Sequence, residues 1–522
     1  MKASVEILNQ EFASLADAIG AHAVERPEAI ALMLGEETVD YGTLYSLMQR
    51  VAYSLQREGV VPQSTIAICA QTSLNYAVVL LGAVMMGVTV APLVVTSTPE
   101  TLATMISDAD AKLLFVDGAS RSALSSLVVS PRMVDLEPLR ADASWLAPKS
   151  SVPQPVEVRP EWAFNILYSS GTTGVPKGII QTHALRWGVL RQQAGRGLGT
   201  STVALAATPL YSNITLMSAL PTLARGGSVV LMDKFDAGAF LELAQLRRVT
   251  YAVLVPIQYR RILDHPSFDS TDLSSFQSKS CAGAPCPPTL KREIAQRWPG
   301  HFFDVYGMTE GGAVCVLSVT ERPDKVHTVG KPLPGHEIFI VDEQGSPLPD
   351  GQHGEIVGHS YNMMSGYHRQ PEKTLAAEWR SPDGRRFIRT GDVGYIDPDG
   401  FLVLIDRKKD MIISGGFNIY SSDLEAVLSG CAGVREAAVI GVPSERWGET
   451  PIGFVVPEKG CLISATAIQE EANARLGKTQ RLSEVIVIPE LPRNQAGKVL
   501  KRDLRELHAR QSACVGTARA VS

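Results

Sequence analysis

The segment YSSGTTGVPKGII, Tyr168–Ile180, follows the apolar run AFNILY and crowds three glycines, two serines and two threonines into the ten residues from Ser169 to Gly178. Glycines let backbone N–H groups approach an anion closely, hydroxyls donate further hydrogen bonds, and Lys177 adds a positive charge. The composition is that of a phosphate-holding loop. It is not a Walker A loop, which reads GxxxxGK and then Ser or Thr. Counted from Gly171, Pro176 stands where the second glycine belongs, and Gly178 where the Mg2+-binding hydroxyl belongs. Taken alone, the loop would suit a kinase, an ATPase or an enzyme that activates a carboxylic acid. It would equally suit a surface loop turning at Val175-Pro176.

Outward from the loop, short apolar runs recur: STIAICA before it, then TVALAAT, SVVLM and YAVLV after it. Stretches of helical pattern separate many of them. In TLYSLMQRVAYSLQREG, Leu44, Leu47, Val51 and Leu55 share one helix face and Gly59 ends the helix. The pattern predicts an α/β fold with buried, partly parallel sheets. The uncharged stretch Tyr76–Val95 is long enough to span a bilayer. It is broken by Gly82, Gly87 and Pro92 and ends in a β-branched run, so a buried helix, a glycine break and a buried strand are expected instead.

The chain has 522 residues, of which 45% are hydrophobic and 20% charged, enough for a large core and for more than one domain. A net charge of −5 gives no general attraction to nucleic acid or an anionic membrane. The seven cysteines are odd in number and lack CxxC or Cys/His metal spacing. Neither a disulfide framework nor a zinc site is expected, and Cys281 and Cys286 read as small buried side chains. The N-terminus shows no signal peptide, and a cytoplasmic location is expected.

The character changes late. From Arg389 to Tyr420 the chain reads as turn, strand, charged knot and strand, and the remainder as a small α+β domain. That domain would use SSDLEAVLSG as a helix and AAVIGV, PIGFVV and EVIVI as strands. The expected division is 1–405, a hinge at 406–409, and 410–522. The tail after His508 has little apolar periodicity and is expected to be mobile.

Four further segments, YGMTE (306–310), RTGDVGYID (389–397), DRKKDMIISGGFNIY (406–420) and PRNQAGKVLKRDLR (492–505), join the loop in an order and spacing that resembles the adenylate-forming superfamily. Acyl-CoA synthetases, peptide-synthetase adenylation domains and luciferases belong to that superfamily. The resemblance spans nearly the whole chain and is most like the 4-coumarate and other aryl-CoA ligases. It implies a large α/β N-terminal domain of β-sheets flanked by helices, and a small mobile α+β C-terminal domain. It also implies a reaction in two halves. A carboxylate attacks the α-phosphate of MgATP, giving acyl-AMP and pyrophosphate, and a thiol, usually of coenzyme A, then displaces AMP. The protein's part is placement and charge neutralisation.

By that resemblance Ser169, Ser170, Gly171, Thr172, Thr173 and Lys177 hold the departing phosphates. Tyr306 offers a ring to the adenine, Thr309 a hydroxyl to the α-phosphate, and Glu310 a hard carboxylate to Mg2+. Asp304 accepts from the adenine amino group, and AGAP (282–285), through Gly283 and Ala284, lines the adenine edge. Asp392 accepts both ribose hydroxyls, assisted by Arg407. Lys409 marks the hinge about which similar enzymes rotate the small domain. Lys498 bridges the substrate carboxylate and the α-phosphate, and is also a residue whose acylation regulates similar enzymes. Gly415, Gly416, Trp447 and Arg481 are assigned to the coenzyme A side.

The chain departs from the family pattern at Ser212, where many ligases have His, at Ser421, where many have Pro, and at Gln480–Leu482, where a KxP is usual. These departures put the thiol-side contacts in question. Tyr211, Asn213, Ile214, Met217 and Ser218 are the expected acyl pocket. No acidic residue lies between Ala207 and Leu220, so an amino acid substrate, whose ammonium needs one, is disfavoured. An aromatic or arylpropenoic acid such as coumarate or benzoate is expected, with medium-chain or alicyclic acids next. The expected partners are therefore ATP, Mg2+, coenzyme A and a small carboxylic acid, with no nucleic acid and no membrane span. A homodimer is carried as an option. The rivals are an ADP-releasing kinase and a non-catalytic ATP-binding protein.

Overall fold

The computed structural model describes residues 3–136, 145–169, 176–192, 197–414, 417–444, 446–477, 480–494 and 497–519. Of the expected phosphate loop, Ser170, Gly171, Thr172 and Thr173 lie outside the described residues, as do Gly415 and Gly416. The chain forms two compact units. The first comprises Met1–Val326, Pro332–Glu337 and Gly358–Ile388, and the second His327–Lys331, Ile338–Val357 and Arg389–Ser522. The charged knot 406–409 falls within the second.

Two sheets organise the first unit. In one, the strands His301–Tyr306, Ser278–Ala282, Tyr251–Leu254, Val203–Ala206, Ser228–Leu231 and Ile30–Leu34 lie side by side and parallel. In the other, Ala163–Ser169, Thr89–Pro92, Thr65–Cys69, Ala111–Val116 and Arg132–Asp135 run parallel in that order. Each expected apolar run is one of these strands. Leu32, Val229 and Leu231 of one sheet and Ile66, Ile68, Phe115 and Phe164 of the other share a single core with helices that include Tyr41–Arg57, Leu74–Met85 and Asn213–Ala224. Burial of both faces explains why these strands read as continuous apolar runs rather than alternating ones.

The bilayer-length stretch resolves as expected. Helix Leu74–Met85 is buried along nearly its whole length, Gly87 takes φ +65°, and strand Thr89–Pro92 follows. Among the described residues no helix is long and apolar enough to cross a membrane. The helix lies tightly against Tyr41–Arg57, whose Leu44, Leu47, Val51 and Leu55 are buried on one face.

The second unit contains the small α+β arrangement. Strands Phe417–Ile419, Ile412–Ser414, Gly448–Pro457 and Val434–Ser444 form a sheet, with Glu484–Val487 parallel to Gly448–Pro457. Alternation gives that sheet two apolar faces. Val439 and Val455 meet Leu424 and Leu428 of helix Ser421–Ser429 and Ile468 and Ala472 of helix Ala465–Arg475. Ile440 and Phe454 meet Leu504 of helix Lys501–Arg519. That last helix runs past His508 as far as Arg519, where the weak apolar pattern suggests no element. Glu506 pairs there with Arg502 and Arg510, each four residues away, which supports a helix without burial.

Gly82 sets the spacing of the two central helices. A carbon added there would lie 2.6 Å from Val51 Cβ and 2.9 Å from the Met48 carbonyl oxygen. Gly82→Ala gains about 1 kcal/mol of helix propensity, but overpacking against a backbone oxygen costs about 1–3 kcal/mol. A lower urea midpoint than wild type, with unchanged slope, is the expected result of equilibrium unfolding.

Candidate active site

The strands Ala163–Ser169 and Lys177–Thr182 are antiparallel, with Ser169 opposite Lys177. The glycine- and hydroxyl-rich segment therefore joins strand to strand. A Walker A loop joins strand to helix and aims its phosphate at the helix N-terminus, so the hairpin agrees with the departures at Pro176 and Gly178. Strand Gly366–Tyr367 adds to the hairpin, with Tyr367 opposite Ile179. Lys177 Nζ lies 5.0 Å from the Tyr367 ring centroid, a cation–π distance. The Tyr367 hydroxyl donates to Glu310 at 3.0 Å. Burial and the neighbouring Glu310 carboxylate raise the Tyr367 hydroxyl above its usual range, so it stays a donor. One tyrosine thus gathers the lysine of the loop and the acid of YGMTE. Sequence reasoning missed it. The signal available was the pair Gly366-Tyr367 in a strand too short to show periodicity.

Thr309 and Glu310 follow strand His301–Tyr306 and are half-buried. The Thr309 carbonyl accepts from Gln181 Nε2 at 2.8 Å, and the Glu310 carbonyl from the Met364 amide at 2.8 Å. Gly311 must be glycine, because at φ +84° an added carbon would strike the Asn362 carbonyl. Tyr306 is half-buried at the end of the same strand.

Asp304 has a different surrounding from the one expected. Its carboxylate is buried and meets Lys291 Nζ, equally buried, at 2.6 Å. Burial raises the Asp304 carboxyl, and Lys291 opposes that shift. Cys281, Cys286 and Asp304 bring their sulfur and carboxylate atoms within 4.8 Å of one another, and burial raises the Cys281 thiol well above its usual range. The Cys281 thiol therefore stays protonated at neutral pH. Lys291 already occupies the Asp304 carboxylate, which a metal ion would need.

The acyl candidates Tyr211, Asn213, Ile214, Met217 and Ser218 stand at the start of helix Asn213–Ala224, with Tyr211 and Ser218 buried. Gly283 takes φ +87°, and a carbon added there would lie 2.7 Å from Ile214 Cδ1. The start of that helix and the AGAP strip, which includes Ala284, are thus in direct contact. Ser212 sits at the helix N-cap without a side-chain cap bond.

The second unit holds its own cluster. Strands Arg386–Ile396 and Leu402–Arg407 pair antiparallel with Asp392 opposite Arg407, and Arg407 Nε approaches Asp392 Oδ1 at 3.3 Å. Beneath them the buried Glu355 accepts from Arg389 at 2.7 Å and Lys408 at 3.0 Å, which fixes both strands near the knot. Lys498 stands in a closed turn. Its amide donates to Asn494 Oδ1, its carbonyl accepts from the Asn494 amide, and Gly497 takes φ +73°. Burial, then the positive charge of Arg407, pushes the Lys498 ammonium down to about 8, with Lys409 adding and Asp392 and Asp410 opposing. Asp392, Arg407, Lys409 and Lys498 are therefore brought together.

Trp447 is half exposed, with the Arg446 guanidinium 4.7 Å from its ring centroid, and Arg481 is exposed. Leu482 is buried and clasped by Asn473 through both its amide and its carbonyl. Ser421 is fully buried. It donates to Asp406 Oδ2 at 2.6 Å and accepts from Lys501 at 2.5 Å.

The profile of the AMP-binding enzymes matches residues 20–368. The chain belongs to this family. The profile of the AMP-binding enzyme C-terminal domain matches 423–498 as well. The chain is 34% identical over 482 residues to a feruloyl-CoA synthase of Amycolatopsis, covering 92% of this chain and 96% of that one. It is 30% identical to an indoleacetate–CoA ligase of Aromatoleum aromaticum, covering 95% and 99%. Among solved structures, ATP-bound MatB of Rhodopseudomonas palustris superposes with a TM-score of 0.84 at 28% identity, over 94% of this chain and 99% of that one. The protein is thus an adenylate-forming, ATP-binding enzyme of the AMP-forming acid–CoA ligase group.

In this AMP-binding enzyme the Lys498 amine should titrate with a midpoint near pH 8, below the ~10.4 of an exposed lysine. The pH dependence of its modification by an amine-reactive reagent, read by peptide mass spectrometry, measures that midpoint. Arg407→Ala removes a neighbouring cation and releases Asp392 to face Lys498, so the midpoint should move upward.

Proposed function

We propose that this enzyme joins an aromatic or arylpropenoic acid to coenzyme A, through an acyl-AMP intermediate. The observation that carries the substrate reading is the start of helix Asn213–Ala224, where an uncharged segment sets Ile214 directly over Gly283. An apolar acyl group suits such a wall, and an ammonium would find no acid there. The relatives named for feruloyl and indoleacetate substrates support the same choice.

In the first half-reaction the acid's oxygen bonds the α-phosphorus, and the bond from that phosphorus to the bridging oxygen of pyrophosphate breaks. Lys177 and the hydroxyls beside it, including Ser169, hold the departing pyrophosphate. Thr309 donates to the α-phosphate. Lys498, still mostly protonated at neutral pH, bridges carboxylate and α-phosphate, where negative charge converges. Asp392 accepts from the ribose hydroxyls, with Arg407 keeping it ionised and oriented. The adenine lies by Tyr306, Gly283 and Ala284, and Asp304 steadies that strand through Lys291. Glu310, an oxygen donor fixed by Tyr367, fits Mg2+, which when bound would neutralise phosphate charge. In the second half-reaction the coenzyme A sulfur bonds the acyl carbon and AMP leaves. Trp447 and Arg481 are the proposed thiol-side contacts, and 406–409, with Lys409, the proposed hinge between 1–405 and 410–522.

Pyrophosphate release that requires an added acid, followed by AMP release that requires coenzyme A, tests the reaction. ADP as the product would overturn it. In a panel of acids, feruloyl- and benzoyl-type acids should give the highest kcat/KM, and a preference for medium-chain or alicyclic acids would overturn the substrate class. Lys498→Ala should lower acid-dependent pyrophosphate release by about 100-fold or more while sparing thioester formation from supplied acyl-AMP. Equal loss in both assays would remove Lys498 from its role.

A further inference from the structure

Between the Lys177 hairpin and the Thr309 motif runs a chain of three buried polar side chains. Arg186, on helix His183–Gln192, donates through Nε and a terminal nitrogen to Asn165 Oδ1, both at 2.9 Å. Asn165 Nδ2 donates to Gln181 Oε1 at 3.1 Å, and Gln181 Nε2 donates to the Thr309 carbonyl at 2.8 Å. Relative exposures of Arg186, Asn165 and Gln181 are 4%, 1% and 2%, so water is excluded from the bonds among these three side chains.

The two ends fix the direction of the chain. A guanidinium only donates and a backbone carbonyl only accepts, so neither amide can flip without losing a bond. Every donor therefore points from Arg186 toward Thr309. Burial alone pushes the guanidinium down, to about 9, with no carboxylate opposing the shift, and at neutral pH it remains a cation. Among the described residues it bonds Asn165 and lies 5.7 Å from the Phe164 ring centroid. A buried cation without a counter-anion is costly and needs a reason. Its position supplies one. Asn165 lies four residues before Ser169, and Gln181 four residues after Lys177, on the hairpin that holds the loop.

We propose that Arg186, Asn165 and Gln181 are positioning residues of the adenylation step: their hydrogen-bond chain fixes the Thr309–Glu310 segment and carries the positive field of a buried guanidinium, which has no carboxylate partner among the described residues, toward a bound nucleotide polyphosphate. The identity of that nucleotide rests on the function proposed above. Arg186 touches no substrate atom in this arrangement. It acts through the two amides, which polarise in series in a dry interior.

Asn165→Asp separates this role from a merely structural one. The substituted side chain is nearly isosteric and gives Arg186 an ion pair, so the fold should be at least as stable. The pair cancels the cation, and the carboxylate turns the Gln181 amide so that oxygen faces the Thr309 carbonyl. ATP binding without acid, read by titration calorimetry, should weaken by about 10–100-fold, and acid-dependent pyrophosphate release should fall, with the thermal midpoint held or raised. Wild-type ATP affinity in Asn165→Asp would overturn the proposal. Gln181→Met gives a second reading. It removes only the bond to Thr309 and should lower kcat for pyrophosphate release while leaving KM for the acid within about twofold. Loss of stability with unchanged kcat would mark the chain as structural. Because the calorimetric arm needs no acid, it reads the relay even if wild type released pyrophosphate with no acid tried, an outcome that would sink the functional reading instead.

Discussion

The hydrogen bond from Gln181 Nε2 to the Thr309 carbonyl at 2.8 Å helps tie the hairpin of one sheet to the motif that follows the last parallel strand of the other. The rest of the first unit's site is built around that tie. With Thr309 held, Glu310 is set where Tyr367 can donate to it, and Tyr367 in turn lies beneath Lys177. In a dry interior such bonds are directional and leave few alternatives, because a broken one strands a polar group without water. Apolar packing could bring the two sheets together. It could not specify which carbonyl meets which amide.

The second unit solves a different problem, the assembly of like charges. Lys498, Arg407 and Lys409 stand near two carboxylates, Asp392 and Asp410, and the cost of that crowding is visible in the lowered Lys498 ammonium. The crowding is sustained by neighbours that hold the backbone: Glu355 under Arg389 and Lys408, and Asn494 around the Lys498 turn. Ser421, where similar sequences have proline, has a physical account here. A proline would have no hydroxyl to join Asp406 to Lys501, and Lys501 also pairs with Glu425 at 2.8 Å. The departure from pattern is a local exchange of stiffness for a buried polar link.

Much of the fold was legible because it follows from period and punctuation. The parallel strands read as unbroken apolar runs, the helix Tyr41–Arg57 as an apolar face closed by Gly59, and the stretch from Tyr76 as helix, glycine and strand. The last helix did not read so, because it is held in part by charge pairs rather than by a long apolar face. Several site features were equally silent. Asp304 looked free to meet a ligand, yet it lies against Lys291, thirteen positions earlier on another element, and no local pattern announces such a pair. Tyr367 sits in a two-residue strand, too short to carry a period.

What the sequence alone determined is the set of chemical groups and their order along the chain: a loop rich in glycine and hydroxyls, YGMTE, TGD and a lysine in NQAGK. These are local, since glycine, proline and hydroxyl placement act through the backbone within a few residues. What only the tertiary structure decided is which groups meet. Lys177 with Tyr367, Gln181 with Thr309, Asp304 with Lys291 and Ser421 with Lys501 are separated by 13 to 190 positions, and each pair is fixed by strand order and burial rather than by spacing. A hydrogen bond between distant residues leaves no period in the sequence. It exists because the folded core removes water from both partners and leaves each the other as its partner.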